Sequence, residues 1–391
     1  MQEEPTHHFS DDPVFGDQLF GNDQLPDRPF KGRGVAGNLE GRFETLTRHK
    51  LDDGWQAEYA EGEYANEERA ETALPSPQTE IYRDASRTIL ARNNSPDLPF
   101  DRSINPYRGC EHGCTYCYAR PSHAYLGLSP GLDFETRLFA KPDAPALLEA
   151  ALRRPGYKPA VIALGSNTDP YQPIERGLNI TREILEVLED FSHPVTIVTK
   201  SALVLRDLDI LGPMAERGLA SVAISITTLD KTLASRMEPR ASAPARRLDA
   251  IAKLAEAGIP TAVFSAPMIP ALNDHELENI LKIAAQAGAS SAAYTLLRMP
   301  LEVEPLFTQW LETNYPDRAG RVLNLIRQCR EGELNDSTFG QRMKGSGPIA
   351  DLLSKRFSAA CRRFSLEGAE IRLDPNQFCP PLTKGDQMAL F

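Results

Sequence analysis

Arg108-Gly109-Cys110-Glu111-His112-Gly113-Cys114-Thr115-Tyr116-Cys117-Tyr118 places three of the chain's six cysteines within eight residues. In a protein expected to work in the reducing cytoplasm, such crowding points to metal or redox chemistry rather than disulfides. Three thiolates on one tight loop can hold three irons of a cubane cluster, and Gly109 and Gly113 let the backbone fold around it. Zinc favours four protein ligands in paired Cys-x-x-Cys units. No matching fourth cysteine or histidine pair is evident, although His112 and His123 are close in sequence. Iron–sulfur clusters normally take four cysteines, so a missing fourth leaves one iron open to an outside ligand. A zinc or purely structural cluster site is the plainer alternative. Cys329, Cys361 and Cys379 are widely spaced and read as ordinary thiols.

Beyond this loop, apolar runs alternate with helical patterns. Pro159–Gly165 is a fully apolar run of the kind a buried parallel strand needs. Ile180, Ile184, Val187, Leu188 and Phe191 mark one face of a helix. Strands are expected at Val195–Thr199, Ser221–Ile226, Thr261–Ser265 and Ser291–Leu297, with helices near Asp207–Arg217, Pro244–Ala257 and Asp274–Ala287. A first strand near Ser103-Ile104-Asn105 makes about six βα units, hence a parallel sheet with right-handed crossovers. Periodicity alone leaves a partial barrel and an open doubly wound sheet as alternatives. Helices at Leu301–Thr313, Arg318–Glu331 and Pro348–Phe364 and a short strand around Ile371 follow.

The 391 residues suffice for one large α/β unit with appendages. With 41% hydrophobic and 25% charged residues the composition is globular. Mean hydropathy is -0.36, and no stretch approaches the about 20 apolar residues of a membrane helix. Met1–Ser10 carries two acids and no apolar core, so no secretory signal is read and a cytoplasmic protein is expected. The net charge of -11 is uneven: residues 1–100 hold 20 acidic and 10 basic residues, the remainder 34 and 33. No global basic field argues for nucleic acid, but a neutral body can carry a local basic groove.

These features divide the chain into a disordered acidic tail (1–27), an N-terminal arm (28–99), a catalytic core (100–300), a helical C-terminal extension (301–380) and a flexible tail (381–391).

Cys-x3-Cys-x-aromatic-Cys after a first strand, ahead of five more βα units, resembles the radical S-adenosylmethionine (SAM) superfamily. Within it the chain resembles the branch of DNA-repair-photolyase-like proteins akin to spore photoproduct lyase, and most nearly an uncharacterised bacterial group there. The segments that carry this are Ser103–Cys110, Thr168–Glu175, Thr199-Lys200-Ser201 and Met237-Glu238-Pro239-Arg240; for the nearest group Lys31-Gly32-Arg33-Gly34 joins them. The resemblance implies a partial (βα)6 TIM-like barrel with an irregular N-terminal arm and a helical C-terminal layer.

It also implies that Cys110, Cys114 and Cys117 ligate a [4Fe-4S] cluster whose open iron chelates SAM. One electron, from a flavodoxin or ferredoxin by analogy, would cleave SAM to methionine and a 5′-deoxyadenosyl radical. Tyr116 would lie against adenine. Gly165 to Asp169, with Ser166, Asn167 and Thr168 between, falls where the superfamily binds the methionine amino group. Lys200 could pair with the SAM carboxylate and Ser225 could contact ribose. Tyr107, Tyr118 and Tyr171 are candidates to relay a radical or hydrogen, with packing as the plainer role of each. Spore photoproduct lyase carries a hydrogen-donor cysteine before the matching Asp; Gly165-Ser166-Asn167-Thr168-Asp169 has none. Thymine-dimer reversal by the same route is therefore not expected.

Two further motifs bear on partners. The loop Arg342-Met343-Lys344-Gly345-Ser346-Gly347 could hold a phosphate on its backbone amides, or be only a loop. Gln387-Met388-Ala389-Leu390-Phe391 resembles the bacterial sliding-clamp-binding pentapeptide, with Gln387, Leu390 and Phe391 as its anchors. The leading expectation is a radical SAM enzyme acting on nucleic acid in repair or modification. The alternatives are the same chemistry on a peptide or metabolite, and a non-enzymatic redox-sensing cluster tethered to the clamp.

Overall fold

The computed structural model describes residue 30 and residues 32–43, 78–367 and 371–382. The expected acidic tail and the clamp motif at Gln387, Leu390 and Phe391 lie outside the described residues.

Six strands run parallel in one sheet: β3 (Arg102–Ile104), β6 (Ile162–Leu164), β7 (Val195–Thr199), β8 (Ala220–Ser225), β9 (Thr261–Met268) and β10 (Ser291–Leu296). The order is β10-β9-β8-β7-β6-β3, and β2 (Ala91–Arg92) adds an antiparallel edge beside β3. β10 and β2 do not pair, so the sheet is an open, partial barrel. β6 is buried along its whole length, as its apolar run requires. β9 runs three residues beyond the expected Ser265, through a cis Ala266–Pro267 bond.

The crossover helices present apolar faces to this sheet. In the helix Ile180–Asp190, Ile184, Leu185 and Leu188 are fully buried. Asp230 caps the helix Lys231–Met237 by accepting from Thr232 N and Leu233 N. Pro244 opens the helix Pro244–Glu256 at a position that needs no amide proton.

A second, three-stranded sheet carries the cysteine loop. β1 (Glu80–Arg83) pairs parallel with β5 (Arg137–Ala140), and β4 (Tyr107–Arg108) pairs antiparallel with β5. β4 runs straight into Gly109 and Cys110, so the first crossover is interrupted by a small sheet that the apolar pattern does not show.

The helices Val303–Asn314 and Pro316–Gln328 fold back over the same end of the molecule. Val303, Phe307, Trp310 and Leu311 form one apolar cluster with Cys114, Tyr116 and Met237. At the opposite end, Phe378 packs among Tyr157, Phe191 and His193, and Cys379 N donates to Phe191 O. Among the described residues around Ile371 no strand forms. The local pairing is a single bridge between Glu367 and Ser291, and Pro375–Gln377 makes a short 3-10 turn. Among the described residues no helix is long and apolar enough to cross a membrane.

Candidate metal and cofactor site

The cysteine loop is held from behind. Arg120 is fully buried; its guanidinium donates to Cys114 O (2.9 Å), Gly113 O (3.2 Å) and Gly131 O (2.9 Å), and pairs with Glu135. The other Glu135 oxygen accepts from Gly34 N at 2.9 Å. Gly113 is left-handed (φ +65°), and a Cβ on Gly34 would collide with its carbonyl. Residues 32–43 thus lie against the loop, and Arg33 Nη1 reaches Glu135 O at 2.9 Å.

The front of the loop meets the C-terminal ends of the strands. Cys110 N donates to Phe134 O, Thr115 N to Met237 O, and Glu111 N to Gln172 Oε1. His112 Nδ1 lies 3.3 Å from Asp169 Oδ2. Asp169 also accepts from Thr199 Oγ1 (2.7 Å), Lys200 N (2.8 Å) and Tyr171 N (2.9 Å). Burial alone would raise the Asp169 carboxyl, but His112, Thr199 and the Lys200 amide hold it down at about 2.

Cys110 and Cys114 are buried and Cys117 is partly open. Burial pushes the Cys114 thiol up to about 12, with Lys200 pulling the other way, and drives Cys110 well above its ordinary value with Asp169, Cys114 and Cys117 adding to it. Thiolates there need a bound cation to stabilise them. Among the described residues no three His, Cys, Asp or Glu side chains close on a point as one metal ion requires. Three thiols on one loop bent by Gly109 and Gly113 are the donor type an iron–sulfur cluster takes, so the residues present fit one.

Tyr116 is buried between the loop and β8. Its hydroxyl donates to Glu238 Oε1 and lies 3.3 Å from Thr227 Oγ1, and Lys200 Nζ sits 5.8 Å from its ring centroid. Glu238 is paired with the fully buried Arg247 and accepts from Thr227 Oγ1 at 2.6 Å. Burial would lower the Lys200 ammonium, but Cys114 and Glu238 outweigh it and raise its pKa.

Gly165 turns sharply after β6 (φ +90°), where a Cβ would strike Val198 O. Asn105 closes the following turn by accepting from Asn167 N (2.9 Å) and Thr168 N (3.3 Å), while its amide donates to Ser166 Oγ (3.1 Å). Thr168 Oγ1 donates to Tyr107 O. Ser225 is buried at the end of β8, its carbonyl accepting from Arg247 Nη1 at 3.0 Å.

The three candidate tyrosines part company. Tyr107 donates its hydroxyl to Glu175, and Tyr171 donates to Asp207 at 3.0 Å; both are fully buried. Those carboxylates belong to an interior ion-pair network with Arg206. Of the three, Tyr118 alone is exposed, at 49%, with its hydroxyl donating to Ser166 O.

Sequence reasoning overlooked Arg120 with Glu135, and Arg247. Asn105, His112 and Glu238 lay in segments it singled out, but of these only His112 was weighed, as a metal ligand. In the loop Arg342–Gly347 the amide of Arg342 donates to Thr338 O, those of Lys344 and Gly345 to Gln341 O and that of Ser346 to Cys329 O, which favours the plain-loop reading over a phosphate held on these amides.

An open parallel α/β sheet with a three-cysteine loop over its C-terminal edge defines a class of cluster-dependent enzyme. The radical SAM superfamily model matches residues 104–284. An uncharacterised protein of Mycobacterium tuberculosis is 36% identical over 237 residues, 60% of this chain and 70% of its own. An uncharacterised protein of Methanocaldococcus jannaschii is 29% identical over 214 residues, 55% and 76% of the two chains. Among solved structures, a spore photoproduct lyase variant superposes with a TM-score of 0.53 at 17% identity, covering 75% of this chain and 82% of that one. Spore photoproduct lyase complexed with dinucleoside spore photoproduct gives 0.51 at 17% identity, covering 73% and 78%. The chain belongs to the radical SAM superfamily, whose members are enzymes that use an iron–sulfur cluster, SAM and an electron donor.

Proposed function

We propose that this enzyme holds a [4Fe-4S] cluster on Cys110, Cys114 and Cys117 and acts on nucleic acid. The observation that carries the cofactor part is the loop itself, which gathers three thiols and offers no fourth cysteine. When bound, the cluster and SAM supply a 5′-deoxyadenosyl radical that takes a hydrogen atom from the substrate.

The chain's own residues bind and orient. Lys200 offers its ammonium to the SAM carboxylate, and Tyr116 lines the adenine side. Ser166, Asn167 and Thr168 present the methionine-amine turn, and Ser225 faces ribose. Both Asp169 oxygens are engaged, so Asp169 positions Lys200 and His112 rather than touching ligand. The helices over Cys114 and Tyr116 exclude water from that side. Tyr118 is the exposed group able to return hydrogen, in a site whose Gly165–Asp169 turn lacks a cysteine.

Support for nucleic acid comes from the fold likeness to spore photoproduct lyase, which has been solved with a dinucleoside photoproduct. The test is anaerobic reconstitution with iron and sulfide, then SAM and dithionite, with short DNA and RNA oligonucleotides added in parallel. Wild type should form 5′-deoxyadenosine and Cys114→Ala none, and an oligonucleotide should raise the yield. No product from a protein with an intact, reduced cluster, with or without oligonucleotide, counts against the cofactor reading. Product that no nucleic acid alters counts against the substrate reading.

A further inference from the structure

Arg298 follows β10 at the same end of the sheet as the cysteine loop. Its guanidinium carbon lies 5.8 Å from the ring centroid of Tyr118. The side chain is partly buried, and its Nε has no hydrogen-bond partner. Its one polar contact among the described residues is Nη1 to Met343 Sδ at 3.7 Å, and sulfur is a weak acceptor. Among the described residues no carboxylate stands within ion-pair distance of it. Asp97, the acid nearest to hand, is taken by Arg342 at 2.6 Å. Arg330 is a second unmatched guanidinium on this side. It is buried, donates to Leu296 O, Leu297 O and Arg342 O, leaves Nε without a partner and meets no carboxylate at ion-pair distance.

A cation drawn out of water without a counter-charge is costly and persists where something outside the chain supplies the charge. Burial and then the charge of Arg342 lower the Arg298 pKa, the direction expected where cations crowd without acids. The neighbouring feature is aromatic: Tyr118 is 49% exposed beside this guanidinium. A π-face next to a free, planar, bidentate cation suits a base with its adjoining phosphate.

We propose that Arg298 binds a backbone phosphodiester of the substrate while a neighbouring base lies against Tyr118. The proposal rests on the nucleic-acid reading above and names the group that reads the substrate backbone.

The test uses the full-length, cluster-reconstituted protein and a short fluorescent single-stranded oligonucleotide. Binding is followed by anisotropy across a salt series for wild type, Arg298→Lys and Arg298→Met. Arg298→Met should bind about tenfold or more weakly, with a salt slope shallower by about one; Arg298→Lys should fall between. Neutral methylphosphonate links should weaken binding to wild type by more than they weaken binding to Arg298→Met. The melting temperature of Arg298→Met should equal or exceed that of wild type, because no internal ion pair is lost.

Unchanged affinity and slope in Arg298→Met would overturn the assignment while leaving the nucleic-acid reading intact. A lowered melting temperature together with weaker binding would show a structural arginine and also overturn it. If wild type binds no oligonucleotide, the nucleic-acid reading fails and the assignment falls with it.

Discussion

Arg120 Nη2 lies 2.5 Å from Glu135 Oε1, with neither side chain reached by solvent, directly behind the cysteine loop. The pair does more than cancel charge. Arg120 spreads its remaining donors over Cys114 O, Gly113 O, Pro130 O and Gly131 O, and Glu135 takes the Gly34 amide. Removing one partner of a buried pair leaves the other uncompensated. Arg120→Met should therefore cost roughly 3–5 kcal/mol in urea unfolding. A loss below about 1 kcal/mol would show that the loop is held without this pair.

Gly34 makes the closest backbone approach to the loop. A Cβ there meets Gly113 O with Glu135 Oε1 3.2 Å away, so backbone must move on one side. Gly34→Ala should lower the iron and sulfide retained after anaerobic reconstitution and desalting. Gly32→Ala serves as the control, since no atom lies within 4 Å of its Cβ position, although its φ of +75° carries local strain. Equal iron retention in the two variants would remove the argument that residues 32–43 support the loop.

Much of this architecture is legible in the sequence. β6 to β10 are apolar runs, their helices have clear faces, and the three cysteines are near neighbours in the chain. β1, β4 and β5 escape because they are short, and β1 is exposed at all four positions. Its strand partner is more than fifty residues away, so no local pattern announces it. The site's polar pairs are hidden for a related reason. Arg120–Glu135, His112–Asp169 and Glu238–Arg247 join separate elements, and a buried polar residue in sequence looks like an exposed one. The candidate tyrosines show the converse. The sequence leaves a relay role open beside packing for each, and Tyr107 and Tyr171 turn their hydroxyls into an interior ion-pair network.

At the far end of the sheet, burial holds the His193 imidazole down at about 4, even though its Nδ1 bonds Pro194 O. Nδ1 must donate to that carbonyl, so in the neutral ring Nε2 accepts from Tyr157 OH at 2.8 Å. The unfolded chain, with an ordinary histidine pKa, takes up a proton between about pH 6.5 and 4 that the folded chain refuses. Stability conferred by the neutral ring is therefore whole above this window and falls as pH drops through it, by roughly 3 kcal/mol at most. Urea midpoints of wild type and His193→Gln should converge as pH falls from 6.5 to 4. Parallel curves would show that His193 carries no such linkage.

Lys200 connects the two halves of the site. Asp169 grips its backbone amide, while its ammonium hovers over Tyr116 near Cys114 and Glu238. Cys114 and Glu238 raise its pKa against its burial, so the side chain stays charged at neutral pH. Glu238 is already matched by Arg247, which leaves the ammonium available to an incoming carboxylate. A charged hydrogen bond of this kind is worth about 1.5–3 kcal/mol, so Lys200→Met should weaken SAM binding by about tenfold or more. Lys200→Arg should recover only part of it, because a broad guanidinium does not replace a compact ammonium above a ring. Equilibrium dialysis of labelled SAM against cluster-loaded protein measures this, with iron content determined on the same samples. Unaltered SAM affinity at equal iron content would move the carboxylate contact away from Lys200. Loss of iron in parallel with affinity would instead make Lys200 a support of the cluster through Cys114.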